Sequence, residues 1–118
     1  MNFNHLTLFL FKRDFTDGGD QEYFCPSCLR VEGLMAIFPE IRHQVEVRYV
    51  DFDKPRSTLV NLLGEENQSC PRLVFQGDCS ERNIEGFELV RDNISQLTST
   101  NDIIQYFIKR HDLSHIHP

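Results

Sequence analysis

The chain lacks a long apolar run, an excess of positive charge and any tryptophan. Its apolar stretches, such as Leu8 to Phe11, fall far short of the roughly 20 residues that a membrane span takes. No membrane partner is therefore expected. Lys and Arg number 12 against 18 Asp and Glu, a formal net charge of −6. A phosphate-binding surface needs clustered Lys and Arg, so no nucleic-acid partner is expected either. The N-terminus lacks the basic start, apolar stretch and small-residue cleavage site of an export signal, which makes the cytoplasm the expected compartment. There, four cysteines point to catalytic, metal-binding or buried thiols rather than structural disulfides. Internal repeats, linkers and low-complexity segments are also lacking.

What is present suits one core. The 118 residues match a common domain size, and the 40% hydrophobic content includes ten Phe. A single domain over 1–118 is expected. His5 to Phe11 reads as a strand buried on both faces, and Lys12 to Phe24 as a polar surface loop. Val31, Leu34, Met35 and Phe38 form one apolar stripe of a helix that Pro26 opens and Pro39 stops. Val45 to Phe52 alternates as a strand, with Val45, Val47 and Tyr49 on one face. Asp53 is the expected cap of a second helix that Pro55 enters, Leu59, Val60, Leu62 and Leu63 pack, and Gly64 closes. Arg72 to Phe75 is a short strand, Gly77-Asp78 a turn, and Phe87 to Arg91 its expected antiparallel partner. Thr100 is the expected cap of a last helix buried through Ile103, Ile104, Phe107 and Ile108. The fold class is thus α/β, β-α-β-α-β-β-α, with a mixed four-stranded sheet between helices.

Cys25-Pro26-Ser27-Cys28 carries the chemistry. A thiolate, not a thiol, is the nucleophile in disulfide exchange. With Pro26 as the first helical residue, Cys25 faces unpaired backbone N–H groups and the positive end of the helix dipole, a setting that favours a thiolate. Cys28 lies one turn deeper, within reach of a disulfide. Cys25 is therefore the expected attacking thiol and Cys28 the resolving one.

A strand, CPSC opening a helix, and a Pro introducing the third strand resemble the thioredoxin-like superfamily. The nearer likeness is to its glutaredoxin and glutathione-transferase N-terminal branch. There the proline before the third strand is cis and lies against the dithiol. Ser69-Cys70-Pro71-Arg72-Leu73 occupies that place, so the resemblance implies a cis Pro71 and a substrate groove at Pro71, Cys70 and Pro26. Ser99 to Phe107 resembles the segment that opens the last helix of glutathione transferases, which makes Thr100 a candidate for holding the γ-glutamyl carboxylate of glutathione. Val31-Glu32-Gly33, Phe38-Pro39-Glu40 and Leu62-Leu63-Gly64-Glu65-Glu66-Asn67-Gln68-Ser69 are similar to a small bacterial thioredoxin-like family of unassigned function. Three features depart from the pattern. Phe24 stands where thioredoxins place a Trp, the loop before the dithiol is longer than in glutaredoxins, and their glutathione-gripping Gly-Gly turn is not evident.

Other chemistries have weaker patterns. With 41 residues between Cys28 and Cys70, and eight between Cys70 and Cys79, the cysteines do not follow a zinc-ribbon spacing. Cys25, Cys28 and Cys70 together remain a possible site for a soft metal. Cys70 reads as a small buried residue, with a sensor bond to Cys25 as its functional alternative, and Cys79 as a turn residue. His111 and His115 have metal-ligand spacing but fall where the last helix should end, and His5 and His43 are not placed to act on Cys25. Arg30 and Arg72 read as solvated charges and the Phe residues as core. The expected function is thiol-disulfide oxidoreductase, with no resident cofactor and a protein or glutathione thiol or disulfide as partner. The alternative is a non-catalytic domain that binds a partner or metal through Cys25, Cys28 and Cys70; glutathione conjugation through Thr100 is a third possibility.

Overall fold

The computed structural model describes residues 5–77 and 86–118, so Asp78 and Cys79 lie outside the described residues. Five strands form the main sheet: β1 (Leu6–Phe11), β4 (Glu46–Val50), β5 (Arg72–Gln76), β6 (Glu88–Arg91) and β7 (Ile94–Leu97). A small hairpin, β2 (Phe15–Thr16) and β3 (Glu22–Tyr23), stands apart from it. Three α-helices complete the fold: α1 (Pro26–Ile37), α2 (Ser57–Leu63) and α3 (Thr100–His111). The sheet order is β4-β1-β5-β7-β6, a mixed sheet in which β1 and β4 are parallel and the other neighbours antiparallel.

Central placement explains the unbroken apolar run of β1. Leu6, Leu8, Phe9 and Leu10 are all buried, so both faces of the strand are covered. Val31 and Met35 of α1 bury fully, while Leu34 and Phe38 of the same stripe pack half-buried against the core. Pro39 follows directly on the cap of α1, where the Phe38 N–H still donates to Leu34 O. All four expected residues of α3 are buried. Asp112 ends that helix in the left-handed region at φ 52°, and the Leu113 N–H returns to Ile108 O at 2.9 Å. This 6→1 bond, with Leu113 buried, is a Schellman-type close. His115 therefore lies beyond the helix that carries His111.

Several expectations need correction. The sheet has five strands, and β5 pairs antiparallel with β1 on one side and β7 on the other, not with Phe87 to Arg91. That segment, as β6, is an edge strand that pairs with β7 across the Asp92-Asn93 turn, where Asn93 sits at φ 61°. β7 escapes an apolar pattern because its buried residues include Ser95 and Gln96. The loop from Lys12 to Phe24 contains β2 and β3, whose two residues each are too short for any periodicity. Asp53 does not cap α2: the helix starts at Ser57, Arg56 stands at the cap position, and Lys54-Pro55 is cis. The cap of α3 is Ser99, whose Oγ accepts from the Asp102 N–H at 3.3 Å, with Thr100 the first helical residue. Tyr49 is exposed, because β4 is an edge strand, and its hydroxyl donates to Glu32.

Candidate active site

The dithiol is positioned by the junction of β3 and α1. Cys25 is the N-cap of α1, extended at φ −81° and ψ 119°, and Pro26 follows at the first helical position. A missing N–H costs nothing there, and the fixed φ of proline starts the helix. The Cys25 carbonyl accepts the first helical bond, from the Leu29 N–H at 3.0 Å. Its sulfur accepts a second, from the Cys28 N–H at 3.3 Å. A sulfur thus fills the capping place that a Ser or Asp oxygen commonly takes.

Cys28 is buried between helix and sheet. The Phe11 N–H, at the end of β1, points to the Cys28 sulfur at 3.5 Å. Burial, first of all, pushes the Cys28 thiol well above its ordinary range; the Phe11 donor opposes this, and Cys25 and Cys70 add to it. Cys70 is also buried. Burial pushes its thiol up to about 12, against the pull of the Arg56 and Arg72 guanidinium groups and with a smaller push from Cys25. Cys25 alone of the three is partly open to solvent, and all three are free thiols. Cys70-Pro71 is a cis peptide bond, as the resemblance implies, and Pro71 is buried at the entry to β5.

Cys25 lines two clefts. The first, about 310 Å³, is bounded by Phe11, Phe15, Asp17, Tyr23, Phe24, Pro26 and Phe52. The second, about 370 Å³, brings in Arg13, Asp14, Cys28, Leu29 and Glu32. Of the expected groove residues, Pro26 lines the first cleft, whereas Cys70 and Pro71 line neither. Thr100 lines neither as well; the first turn of α3 is tied instead to α1, through Arg30 Nη2 donating to Asn101 Oδ1 at 2.8 Å. No histidine lines either cleft. Among the described residues, no three His, Cys, Asp or Glu side chains are grouped as a metal ion requires, Cys25, Cys28 and Cys70 included.

Two readings of single residues are overturned. Arg72 is not a solvated charge but 3% exposed. Its guanidinium donates to Gln96 Oε1 at 2.6 Å, Ser69 Oγ at 2.9 Å and Ser69 O at 3.1 Å. Gln96 in turn donates to Asn67 and Glu88, so this network fixes the loop that carries Cys70 and Pro71. The Phe residues are not all core either. Phe24 is 58% exposed beside Cys25, and Phe11, Phe15 and Phe52 form a partly open cluster next to it. The clustering of Phe11, Phe15, Tyr23 and Phe24 along one short stretch is the signal that could have marked a site here.

Among the described residues no helix is long and apolar enough to cross a membrane. No curated protein and no solved structure matches the chain. A family model described as "Protein of unknown function (DUF3088)" matches residues 5–115. With nearly its whole length matched, the chain belongs to the DUF3088 family.

Proposed function

We propose that the protein is a thioredoxin-like thiol-disulfide oxidoreductase that works through Cys25 and Cys28. The observation that carries this reading is a half-open sulfur at a helix N-cap that accepts the backbone N–H of a second cysteine one turn on, whose own thiol is buried. The surrounding topology supports it. In chain order the dithiol helix falls between β1 and its parallel neighbour β4, and Cys70-Pro71 leads into β5, the antiparallel neighbour on the other side of β1. An unpaired N–H and the dipole at a helix start are suited to a sulfur that takes on negative charge.

The exchange balances as follows. The Cys25 thiolate attacks one sulfur of a substrate disulfide, the substrate S–S bond breaks, and the departing sulfur leaves as a thiolate that takes a proton. Cys28, once deprotonated, attacks the Cys25 sulfur of the mixed disulfide, releases the second substrate thiol and closes the Cys25–Cys28 bond. The substrate gains two electrons and two protons, and the dithiol loses them. An external dithiol then returns the protein to its reduced form. Cys25→Ser should abolish disulfide reduction, and Cys28→Ser should accumulate mixed disulfides with Cys25. Turnover in both variants at the parent rate would refute the assignment.

A further inference from the structure

The cleft of about 310 Å³ beside Cys25 is lined mainly by aromatic rings. Five of the eight residues lining it are aromatic: Phe11, Phe15, Tyr23, Phe24 and Phe52. Its far wall is the β2–β3 hairpin, the segment that makes the approach to the dithiol long. Phe15 stacks on Phe52 with centroids 4.2 Å apart and planes 8° from parallel, and Tyr23 leans on Phe15 at 6.3 Å.

Two of the rings outside the hairpin, Phe11 and Phe52, also pack against a cation. The Arg56 guanidinium lies 4.5 Å from the Phe11 ring centre and 4.9 Å from that of Phe52. Arg56 is fixed in turn by donating to Phe52 O at 2.7 Å and Gln68 O at 2.8 Å. Phe11 and Phe52 are therefore held before anything binds, which lowers the ordering cost of binding. Apolar exposure continues around the thiol. Phe24, Tyr23 and Leu29, all large exposed hydrophobics, border the two clefts that Cys25 lines. Large apolar side chains exposed side by side are a recurrent feature of contact sites.

We propose that this hairpin-built cavity is a specificity subsite that takes an aromatic side chain flanking the disulfide of a peptide or protein substrate. The inference rests on the proposed oxidoreductase reading and names its substrate class. The volume lies at the low end of ligand pockets, roughly 300–1,000 Å³, which suits one side chain better than a whole cofactor. Aromatic rings offer it offset and edge contacts with Phe15, Tyr23 and Phe24. Charge narrows the class further. Asp17 is the one acidic or basic side chain in the lining, so a neutral or basic peptide fits and a ligand rich in carboxylates, such as glutathione, is disfavoured. The chemistry is the exchange above: the Cys25 sulfur bonds to the substrate sulfur nearest the seated ring while the substrate S–S bond breaks, and dithiothreitol serves as the dithiol that resets the protein.

The test compares two disulfide-linked peptides that differ only in Phe or Ser beside the cysteine. The parent should favour the Phe peptide by about tenfold or more in kcat/KM, the discrimination a hydrophobic pocket provides. In Tyr23→Ser and in Phe15→Ala that preference should shrink to within about twofold, while Leu89→Ser, an exposed apolar change on β6, keeps it. No preference in the parent, or one that survives both hairpin variants, overturns the proposal. A second readout needs no turnover: N-benzylmaleimide should alkylate Cys25 about fivefold faster, relative to N-methylmaleimide, in the parent than in Tyr23→Ser. If neither peptide is reduced, the oxidoreductase reading fails and this ratio alone decides on the cavity, equal ratios overturning it.

Discussion

The Cys28 backbone N–H donates to the Cys25 sulfur at 3.3 Å, so the partly open thiol caps the helix that buries its partner. One short segment thereby gives two cysteines opposite environments. The first predictions follow from that difference.

Alkylation should be selective. Cys28 and Cys70 are buried, and burial holds both thiols neutral; Cys70, pushed up to about 12, is only about one ten-thousandth thiolate at pH 8. In a Cys79→Ser background, iodoacetamide should label Cys25 at least about a hundredfold faster than either, as read by peptide mass mapping. Labelling of Cys70 at a comparable rate would contradict the burial assigned to it.

Resolution should be the slow step, and it should speed up with pH. The Cys28 thiol stays protonated across the working range, so its thiolate fraction, and with it the rate, rises about tenfold for each pH unit below its raised value. A mixed disulfide of Cys25 with thionitrobenzoate reports this directly through the absorbance of the released thiol. A flat profile between about pH 7 and 9 would mean that Cys28 is not the resolving group.

The helix cap gives a stability test. Ser99 Oγ accepts the Asp102 N–H, so Ser99→Ala should cost about 1 kcal/mol in urea unfolding and Thr100→Ala clearly less. The reverse order would restore Thr100 as the cap.

Arg72 provides the sharpest stability contrast. Arg72→Leu leaves the buried Gln96 Oε1 without its donor and removes two further bonds to Ser69, which should cost about 2–3 kcal/mol. Arg30→Leu, at an exposed position, should stay within about 0.5 kcal/mol. Equal effects would mean that the network does not hold the Cys70-Pro71 loop.

What the sequence revealed divides along a physical line. Local chemistry was legible: Pro26 fixes where α1 begins, and Cys25 becomes a cap because of it. So was the apolar period that buries Ile103, Ile104, Phe107 and Ile108. Features that depend on distant partners were not. Gln96 and Ser95 look like surface residues until Arg72 and Asn67, far along the chain, are brought against Gln96. Arg72 looks solvated for the same reason. Ser99 and Thr100 adjoin and have equal capping chemistry, so only the backbone conformation separates them. The aromatic cleft was hidden because hydrophobic patterning assigns every Phe to the core, whereas a two-stranded hairpin can hold Phe15 and Tyr23 beside a reactive sulfur instead.

The most direct test of the dithiol is a single-turnover reaction. Reduced protein is mixed with excess peptide disulfide, quenched in acid and mapped by mass spectrometry. Cys25 and Cys28 should be recovered joined to each other, with two substrate thiols released per chain. Release of none, or a bond that joins Cys25 to Cys70 while Cys28 stays free, would contradict the account.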